Sequence, residues 1–411
     1  MTAIEFAQHA PIDGFGVVDG ELTISGIGLR RLAARVGGGP FYAYSRSIIE
    51  ARAKQLRSQL PAGVHLHYAI KANPMPAVVQ LLSRFTDGLD VASACEMRVA
   101  LDTGVSPDLV SFAGPGKTQG EIDQAVAAGI TLNLESERQL DQALDAGQRL
   151  GVPPRLAIRV NPAFELKGSG MKMGGGAKPF GVDEARAPAM AARIEAEGLK
   201  LVGFHIYCGS QNLSAVALIE AQRLTIELGL QLAAQLRGGL TWLNIGGGFG
   251  VPYFPGDKAL DTQAVLDALA PQAERAQQAT GAHLVLELGR YLVAPAGVYV
   301  CRVLDRKESQ GQVFLVTDGG LHHHLAASGN FGQVIRKNYP VAIGTRIGQS
   351  QTSVQSVVGP LCTPLDLLAD RMNLPAADVD DLVVIFQSGA YGPSASPLGF
   401  LSHPAPIEVL V

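Results

Sequence analysis

Eight short runs of strand type, each followed by a stretch of helical period, fill most of the chain before residue 291. The runs are "HLHYAIK" (65–71), "GLDVAS" (88–93), "LVSFAGP" (109–115), "ITLNLES" (130–136), "RLAIRVNP" (155–162), "LVGFHIYCGS" (201–210), "TWLNIGGGFG" (241–250) and "HLVLELGR" (283–290). Between them, segments such as "ACEMRVALDTG", "EIDQAVAAG" and "ERQLDQALDAGQRLG" are apolar every third or fourth residue and end in glycine, the pattern of amphipathic helices with glycine C-caps. Another amphipathic segment, "SIIEARAKQLRSQL", precedes the first strand. Eight such units in one run predict a closed (β/α)8 barrel of the TIM type, with a doubly wound open sheet as the alternative that the same alternation permits.

A barrel makes a demand that the sequence can meet or fail, because chemistry in such folds sits at the C-terminal ends of the strands. Lys71 ends the first run, and Asp90 and Ser93 lie in the second. Arg159 and Asn161 close the fifth, His205 and Ser210 the sixth, Gly246, Gly247 and Gly248 the seventh, and Glu287 with Arg290 the eighth. The unusual polar residues share one address.

After residue 290 the helical period fades, and "AGVYVCRVLDRKESQGQVFLVTDGG" reads as two alternating strands about a polar turn. The chain therefore divides into a barrel over 39–290 and a mostly β domain over 291–411. At the start, "FGVVDGELTIS" carries a D-G turn between alternating runs and predicts a β hairpin within residues 1–38. The Gly- and Lys-rich "KGSGMKMGGGAKPFG" (167–181) reads as a loop over the barrel mouth, its Lys167, Lys172 and Lys178 either solvated or facing an anionic group.

Composition narrows the function. With 47% hydrophobic and 17% charged residues the chain can fill a globular core. A net charge of −4 gives no electrostatic case for nucleic acid or an anionic membrane. Four scattered cysteines (Cys95, Cys208, Cys301, Cys362) form no C-x-x-C pair, which argues against a disulfide framework or thiolate metal site and suits a reducing compartment. The first residues show no signal peptide, and no apolar run is long enough to span a membrane, so the expectation is a soluble, cytoplasmic protein. "LHHH" (321–324) does not predict a metal site, since adjacent residues of a strand face opposite ways; it reads as a polar pocket wall or a solvated turn.

Lys71, in "HYAIKANP", admits two readings. A lysine at a strand end commonly snorkels to water, but a lysine kept at a barrel mouth is also the residue for Schiff-base chemistry. "GGGFG" after the seventh strand offers backbone N–H groups without side chains in the way, which suits a phosphate, although a plain turn needs no more. Glu287 could pair with Arg290 three residues on, or hold a proton on a heterocycle. A phosphate cradle, an amine and a carboxylate together are what pyridoxal 5'-phosphate requires.

Eight separate motifs, "YAIKANP", "LDVAS", "RVNP", "HIYCGSQ", "NIGGGFG", "ELGR", "GPLCTPLD" and "SGAYGPS", then give the chain its resemblance. Along nearly its whole length it resembles the pyridoxal-phosphate decarboxylases of the ornithine, diaminopimelate and arginine class, which pair an alanine-racemase-like barrel with a β domain. More narrowly, it is similar to those associated with exosortase A systems. The resemblance implies decarboxylation of an amino acid through an external aldimine and a quinonoid intermediate. It gives Lys71 the internal aldimine, His205 the face of the pyridine ring and Glu287 its nitrogen. Ser210, Gly246, Gly247, Gly248, Arg290 and Tyr391 would surround the phosphate, with Asp90 and Arg159 orienting the ring substituents. Cys362, from a partner subunit, would protonate the carbanion, which implies a homodimer with shared active sites; Thr363 and Tyr391 would meet the substrate. The N-terminal hairpin would join the C-terminal β domain.

The chain also departs from that pattern. The family often writes H-I-G-S-Q where this chain has "HIYCGSQ", two residues longer between His205 and Gly209. Diaminopimelate and ornithine enzymes place an acidic residue after the cysteine, and here that residue is Thr363. Diaminopimelate-specific relatives carry an arginine after a "DGG"-like turn, where an ungapped reading gives Ala326. These departures predict poor activity on meso-diaminopimelate. Two rivals share the motifs: a racemase on the same fold, disfavoured because racemases place an arginine where Glu287 stands, and an inactive regulatory homologue, disfavoured by Lys71, Glu287 and Cys362.

Overall fold

The computed structural model describes residues 9–165, 171–331, 333 and 336–411, with the backbone alone at 171 and 172. Lys167 and the side chain of Lys172, from the expected mouth loop, lie outside the described residues. The chain forms two compact units, one of residues up to Ala51 with Pro252–Lys258 and Leu292–Val411, the other of Arg52–Val251 with Ala259–Tyr291.

The second of these is a closed barrel of eight parallel strands: β1 (Val64–Ala69), β2 (Gly88–Val91), β3 (Val110–Phe112), β4 (Thr131–Leu134), β5 (Arg155–Asn161), β6 (Leu201–Ile206), β7 (Trp242–Asn244) and β8 (His283–Leu288). Each pairs with the next, and β8 returns to β1 with Glu287 opposite His67. The open-sheet alternative is excluded by that closure. Strands such as β6 are buried at every position, as expected where helices cover the outside and side chains fill the inside. Helices form where the sequence signals them. Gln119–Ala128 opens on a capping box of Thr118 and Glu121 and closes on Gly129 at φ 75°. Glu137–Leu150 opens on Ser136 and closes on Gly151 at φ 67°. Ser93, expected within the second strand, lies beyond Val91 and caps the helix Ala94–Leu101 by accepting the Glu96 N–H at 3.2 Å.

The other unit is built on an eight-stranded, mainly antiparallel sheet, centred on the long strand Gly297–Ser309. The strand Phe41–Tyr44, expected in the barrel segment, instead pairs with Gly297–Ser309 and with Ile407–Leu410. Burial decides this: Phe41 and Ala43 join Val298, Val300, Leu382 and Val384 in one apolar cluster. The predicted hairpin is present as Gly16–Val18 and Glu21–Ile24, with Asp19 and Gly20 both at positive φ, the backbone that a two-residue D-G turn adopts. A third short strand, Ile27–Gly28, completes that small sheet.

The histidine run forms a turn, not a strand, and it is not solvated: His322, His323 and His324 are each at most 1% exposed. His323 reaches the Tyr299 hydroxyl at 3.0 Å and the Pro404 carbonyl at 2.8 Å, while His324 Nε2 meets Ser388 Oγ at 2.8 Å. Among the described residues, no cluster of three or more His, Cys, Asp or Glu could hold a metal ion. No helix among them is long and apolar enough to cross a membrane.

Burial pushes the pKa of His324 down to about 3. Its ordinary value is about 6.5, so between those limits the unfolded chain binds a proton that the folded chain does not. His324 therefore adds nothing against folding above pH 6.5 and costs stability as pH falls below it, by up to about 1.4 kcal/mol per pH unit. Melting temperature should drop from pH 7 to pH 4.5, and His324→Gln, which does not titrate, should flatten that slope. An unchanged slope in the variant would assign the acid loss to other groups.

Candidate active site

The C-terminal ends of the barrel strands carry the barrel residues singled out in sequence. After β1 the chain makes one 3-10 turn, Ile70–Ala72, which carries Lys71 off the strand. Pro74 disfavours helical backbone at Asn73, which is extended at φ −153°, and the turn ends there. Asn73 Oδ1 then accepts the Met75 N–H at 3.1 Å. This local chemistry is why "KANP" lifts one lysine over the barrel mouth.

Lys71 Nζ donates to Glu287 Oε1 at 3.0 Å, and Glu287 Oε2 lies 3.1 Å from His205 Nε2. The Lys71 side chain is 41% exposed, while those of Glu287 and His205 are 3% and 4% exposed. The carboxylate is thus interior and the amine is reachable. Burial by itself raises the Glu287 pKa, but the Lys71 ammonium and His205 outweigh it and hold the carboxyl well below the ordinary range. Glu287 is an anion across the physiological range. Its cation is Lys71, whereas the sequence leaves a pair with Arg290 open as one of two readings.

Asp90 lies one residue before the end of β2, paired with Ala69, and its Oδ1 accepts from Ser111 Oγ at 2.6 Å and meets His67 Nδ1 at 3.2 Å. Arg159 lies opposite His205 in the β5–β6 register and donates through Nη1 to Glu135 Oε1 at 3.0 Å. Ser210 forms a short antiparallel pair with Met171, just beyond β6. Arg290 opens the short helix Arg290–Val293 directly after β8.

Four participants were not read from the sequence. His67, Ser111 and Glu135 are ordinary-looking polar members of alternating runs, and nothing in the sequence marks them as facing inward before the register is known. The fourth is Tyr207, the first of the two extra residues in "HIYCGSQ", whose ring centroid lies 5.1 Å from Lys71 Nζ and which meets His205 edge-on. The other, Cys208, is buried, and burial raises its thiol to about 11.

Cys362, Thr363 and Tyr391 belong to the other unit. Cys362 is exposed on a turn whose backbone Asp366 fixes, taking the Leu321 N–H at 2.6 Å and the Leu361 N–H at 2.8 Å. Thr363 Oγ1 accepts the Leu365 N–H at 3.3 Å, and Tyr391 holds a positive φ of 53°.

Residues 46–294 match the model of the pyridoxal-dependent decarboxylase, pyridoxal binding domain. The chain belongs to the pyridoxal-dependent decarboxylases. It is 38% identical to the L-glutamyl-[BtrI acyl-carrier protein] decarboxylase of Niallia circulans, over 90% of this chain and 88% of that one. It is 32% identical to the diaminopimelate decarboxylase of Aquifex aeolicus, over 96% and 91%. Among solved structures, the diaminopimelate decarboxylase of M. jannaschii in complex with L-lysine superposes with a TM-score of 0.85 at 26% identity, covering 97% of this chain and 93% of that one. The fold is accordingly the alanine-racemase-like one, and the chain is a pyridoxal-phosphate-dependent amino-acid decarboxylase.

The residues present fit that cofactor. His205 Nδ1 and Asp90 Oδ2 are buried with no hydrogen-bond partner among the described residues. Gly246 and Gly248 have φ of 69° and 84°, and a Cβ on Gly247 would lie 1.9 Å from the Glu287 carbonyl. Only glycines can follow that path, and among the described residues nothing accepts from the Gly247 or Gly248 N–H. These N–H groups suit a phosphate, Lys71 suits an aldehyde and Glu287 suits a protonated ring nitrogen. If Glu287 holds that proton by charge, Glu287→Gln should lower turnover on the order of 100-fold or more while still binding cofactor. Turnover within a few-fold of wild type would make Glu287 a structural ion pair.

Proposed function

We propose that this decarboxylase acts on an amino acid whose distal end carries no charge, and that it does so as a cytoplasmic homodimer with shared active sites. The observation that carries the substrate reading is Thr363, a neutral hydroxyl where diaminopimelate and ornithine enzymes of this class place an acid. A hydroxyl donates or accepts but cannot pair an ammonium. At the second anchor, Ala326 offers a methyl group in place of a guanidinium. Two missing charged anchors remove the recognition of a diamino dicarboxylate.

The likeness to an enzyme named for a glutamyl group on an acyl-carrier protein supports a specific candidate. Decarboxylation needs a free α-carboxylate, so the acyl link to a carrier must use the side-chain carboxyl. That link also neutralises the distal charge. A side-chain-tethered glutamyl thioester therefore satisfies Thr363 and Ala326 together. Four unpaired cysteines suit a reducing compartment.

Within the site, the bound cofactor supplies an electron sink for the pair left at Cα when the carboxylate departs as carbon dioxide. In this reading Lys71 holds the cofactor through Nζ, and Glu287 keeps a proton on the ring nitrogen. His205 covers one ring face, and Gly246, Gly247, Gly248, Ser210, Arg290 and Tyr391 bind the phosphate. Asp90 and Arg159 orient the ring. Cys362 of the partner subunit gives its Sγ proton to Cα, in place of the lost carboxylate.

Carbon dioxide release should be at least tenfold faster from a glutamyl group thioesterified through its side chain to a phosphopantetheinyl carrier than from meso-diaminopimelate, ornithine or lysine. Turnover of meso-diaminopimelate above all the others would overturn the reading of Thr363 and Ala326. The assembly is tested by mixing inactive Lys71→Ala and Cys362→Ala subunits. A hybrid dimer has one intact site, so up to about a quarter of wild-type activity should return (the statistical yield for random exchange). No recovery, with subunit exchange demonstrated, would place Cys362 beside its own subunit's Lys71 or outside the site.

A further inference from the structure

Glu135 follows β4, and its side chain is 1% exposed. Three donors from separate parts of the barrel converge on it. The Gly114 N–H, after β3, gives Oε1 a bond of 2.6 Å, and Arg159 Nη1, on β5, gives the same oxygen one of 3.0 Å. The Gly181 N–H, on the approach to the short strand Val182–Asp183, reaches Oε2 at 2.9 Å. Gly181 sits at φ 75°, and a Cβ there would come within 3.0 Å of the Arg159 carbonyl, so this approach is held by backbone fit as well as by the hydrogen bond.

The surroundings fix the carboxylate in turn. Gln139 Oε1 accepts the Glu135 N–H at 2.9 Å, and its Nε2 donates to the carbonyls of Gly114 and Pro115. Lys117 Nζ, also buried, donates to the carbonyls of Gly114 and Asn133 at 2.7 and 2.8 Å. Burial alone raises the Glu135 pKa, but Arg159, Lys117 and the Gly181 N–H bring it below the ordinary value, so the group is anionic. The Arg159 guanidinium also lies over the Phe180 ring, with Cζ 5.2 Å from the ring centroid.

We propose that Glu135 is the positioning residue for Arg159, fixing its guanidinium at the mouth of the barrel and tying that orientation to the backbone at Gly114 and Gly181. This rests on the reading that Arg159 orients the cofactor. A buried anion that accepts three hydrogen bonds cannot be replaced by an amide without turning one acceptor into a donor that faces another N–H.

The test measures the dissociation constant for pyridoxal 5'-phosphate and the visible absorption band of the bound cofactor in Glu135→Gln, Arg159→Lys and the double variant. Glu135→Gln should weaken cofactor binding about 10- to 100-fold and shift the band, as the loss of hydrogen bonds to a charged group implies. The double variant should be little worse than Arg159→Lys, because both changes remove one interaction. Wild-type affinity and band in Glu135→Gln, or a full additive loss in the double variant, would overturn the proposal. Wild-type affinity in Arg159→Lys would instead overturn the role given to Arg159. If Glu135→Gln does not fold by circular dichroism, Glu135→Asp carries the test: a smaller loss and band shift are expected, and wild-type behaviour overturns the proposal.

Discussion

A carboxylate inside a parallel barrel is expensive, and the site is organised around making Glu287 tolerable. Removing an anion from water costs several kcal/mol after relaxation, and a pair recovers this only with good geometry and further hydrogen bonds. Glu287 obtains that relief unevenly. One oxygen takes the Lys71 ammonium, and the other lies 3.1 Å from a histidine whose remaining ring nitrogen has no partner among the described residues. The arrangement keeps a negative charge under a reachable amine. Optimising stability alone would favour apolar residues of similar volume here.

The same logic extends around the strand ends. Asp90 Oδ2 is buried without a hydrogen-bond partner among the described residues, while Oδ1 is shared by Ser111 and His67. In the opposite case both oxygens of Glu135 accept hydrogen bonds. One carboxylate keeps an oxygen with no partner among the described residues and the other has a donor on each, which separates a group available to a ligand from a group that holds the frame. The glycine path at Gly246, Gly247 and Gly248 follows the same division. The bare backbone lets the loop after β7 approach the Glu287 carbonyl while Gly247 and Gly248 keep their N–H groups unused among the described residues.

The fold was legible because both of its periods were written plainly. Strand runs of the right length alternated with helices that end in glycine, and the D-G hairpin turn appeared where both residues adopt positive φ. Lys71, His205 and Glu287 were legible because polar residues at strand ends have few other uses in a barrel. Glu135 and Ser111 were not, since a polar residue in an alternating run gives no sign of whether it faces the inside or solvent until the register is known. Phe41–Tyr44 was assigned to the barrel segment because sequence adjacency stood in for pairing. Its partners, Gly297–Ser309 and Ile407–Leu410, are hundreds of residues away. The histidine run, read as a polar pocket wall or a solvated turn, does turn but is not solvated, because all three rings are buried.

How specificity could change on a constant frame follows from Asp366. Its two oxygens hold the Leu321 and Leu361 N–H groups, and a Cβ on Gly320 or Gly359 would lie within 2.3 Å of them, so the turn bearing Cys362 and Thr363 is fixed from below. The course of the backbone at 363 therefore owes little to its own side chain, which contributes a single 3.3 Å bond to Leu365. An acid at that position could accept the same N–H, so exchanging acid for hydroxyl alters charge without moving the neighbouring thiol. In the role proposed for Thr363, charge at that position can be exchanged while Cys362 keeps its place, and Glu287 differs in this respect. At Glu287 the charge itself pairs with Lys71, so a neutral side chain there removes that ion pair.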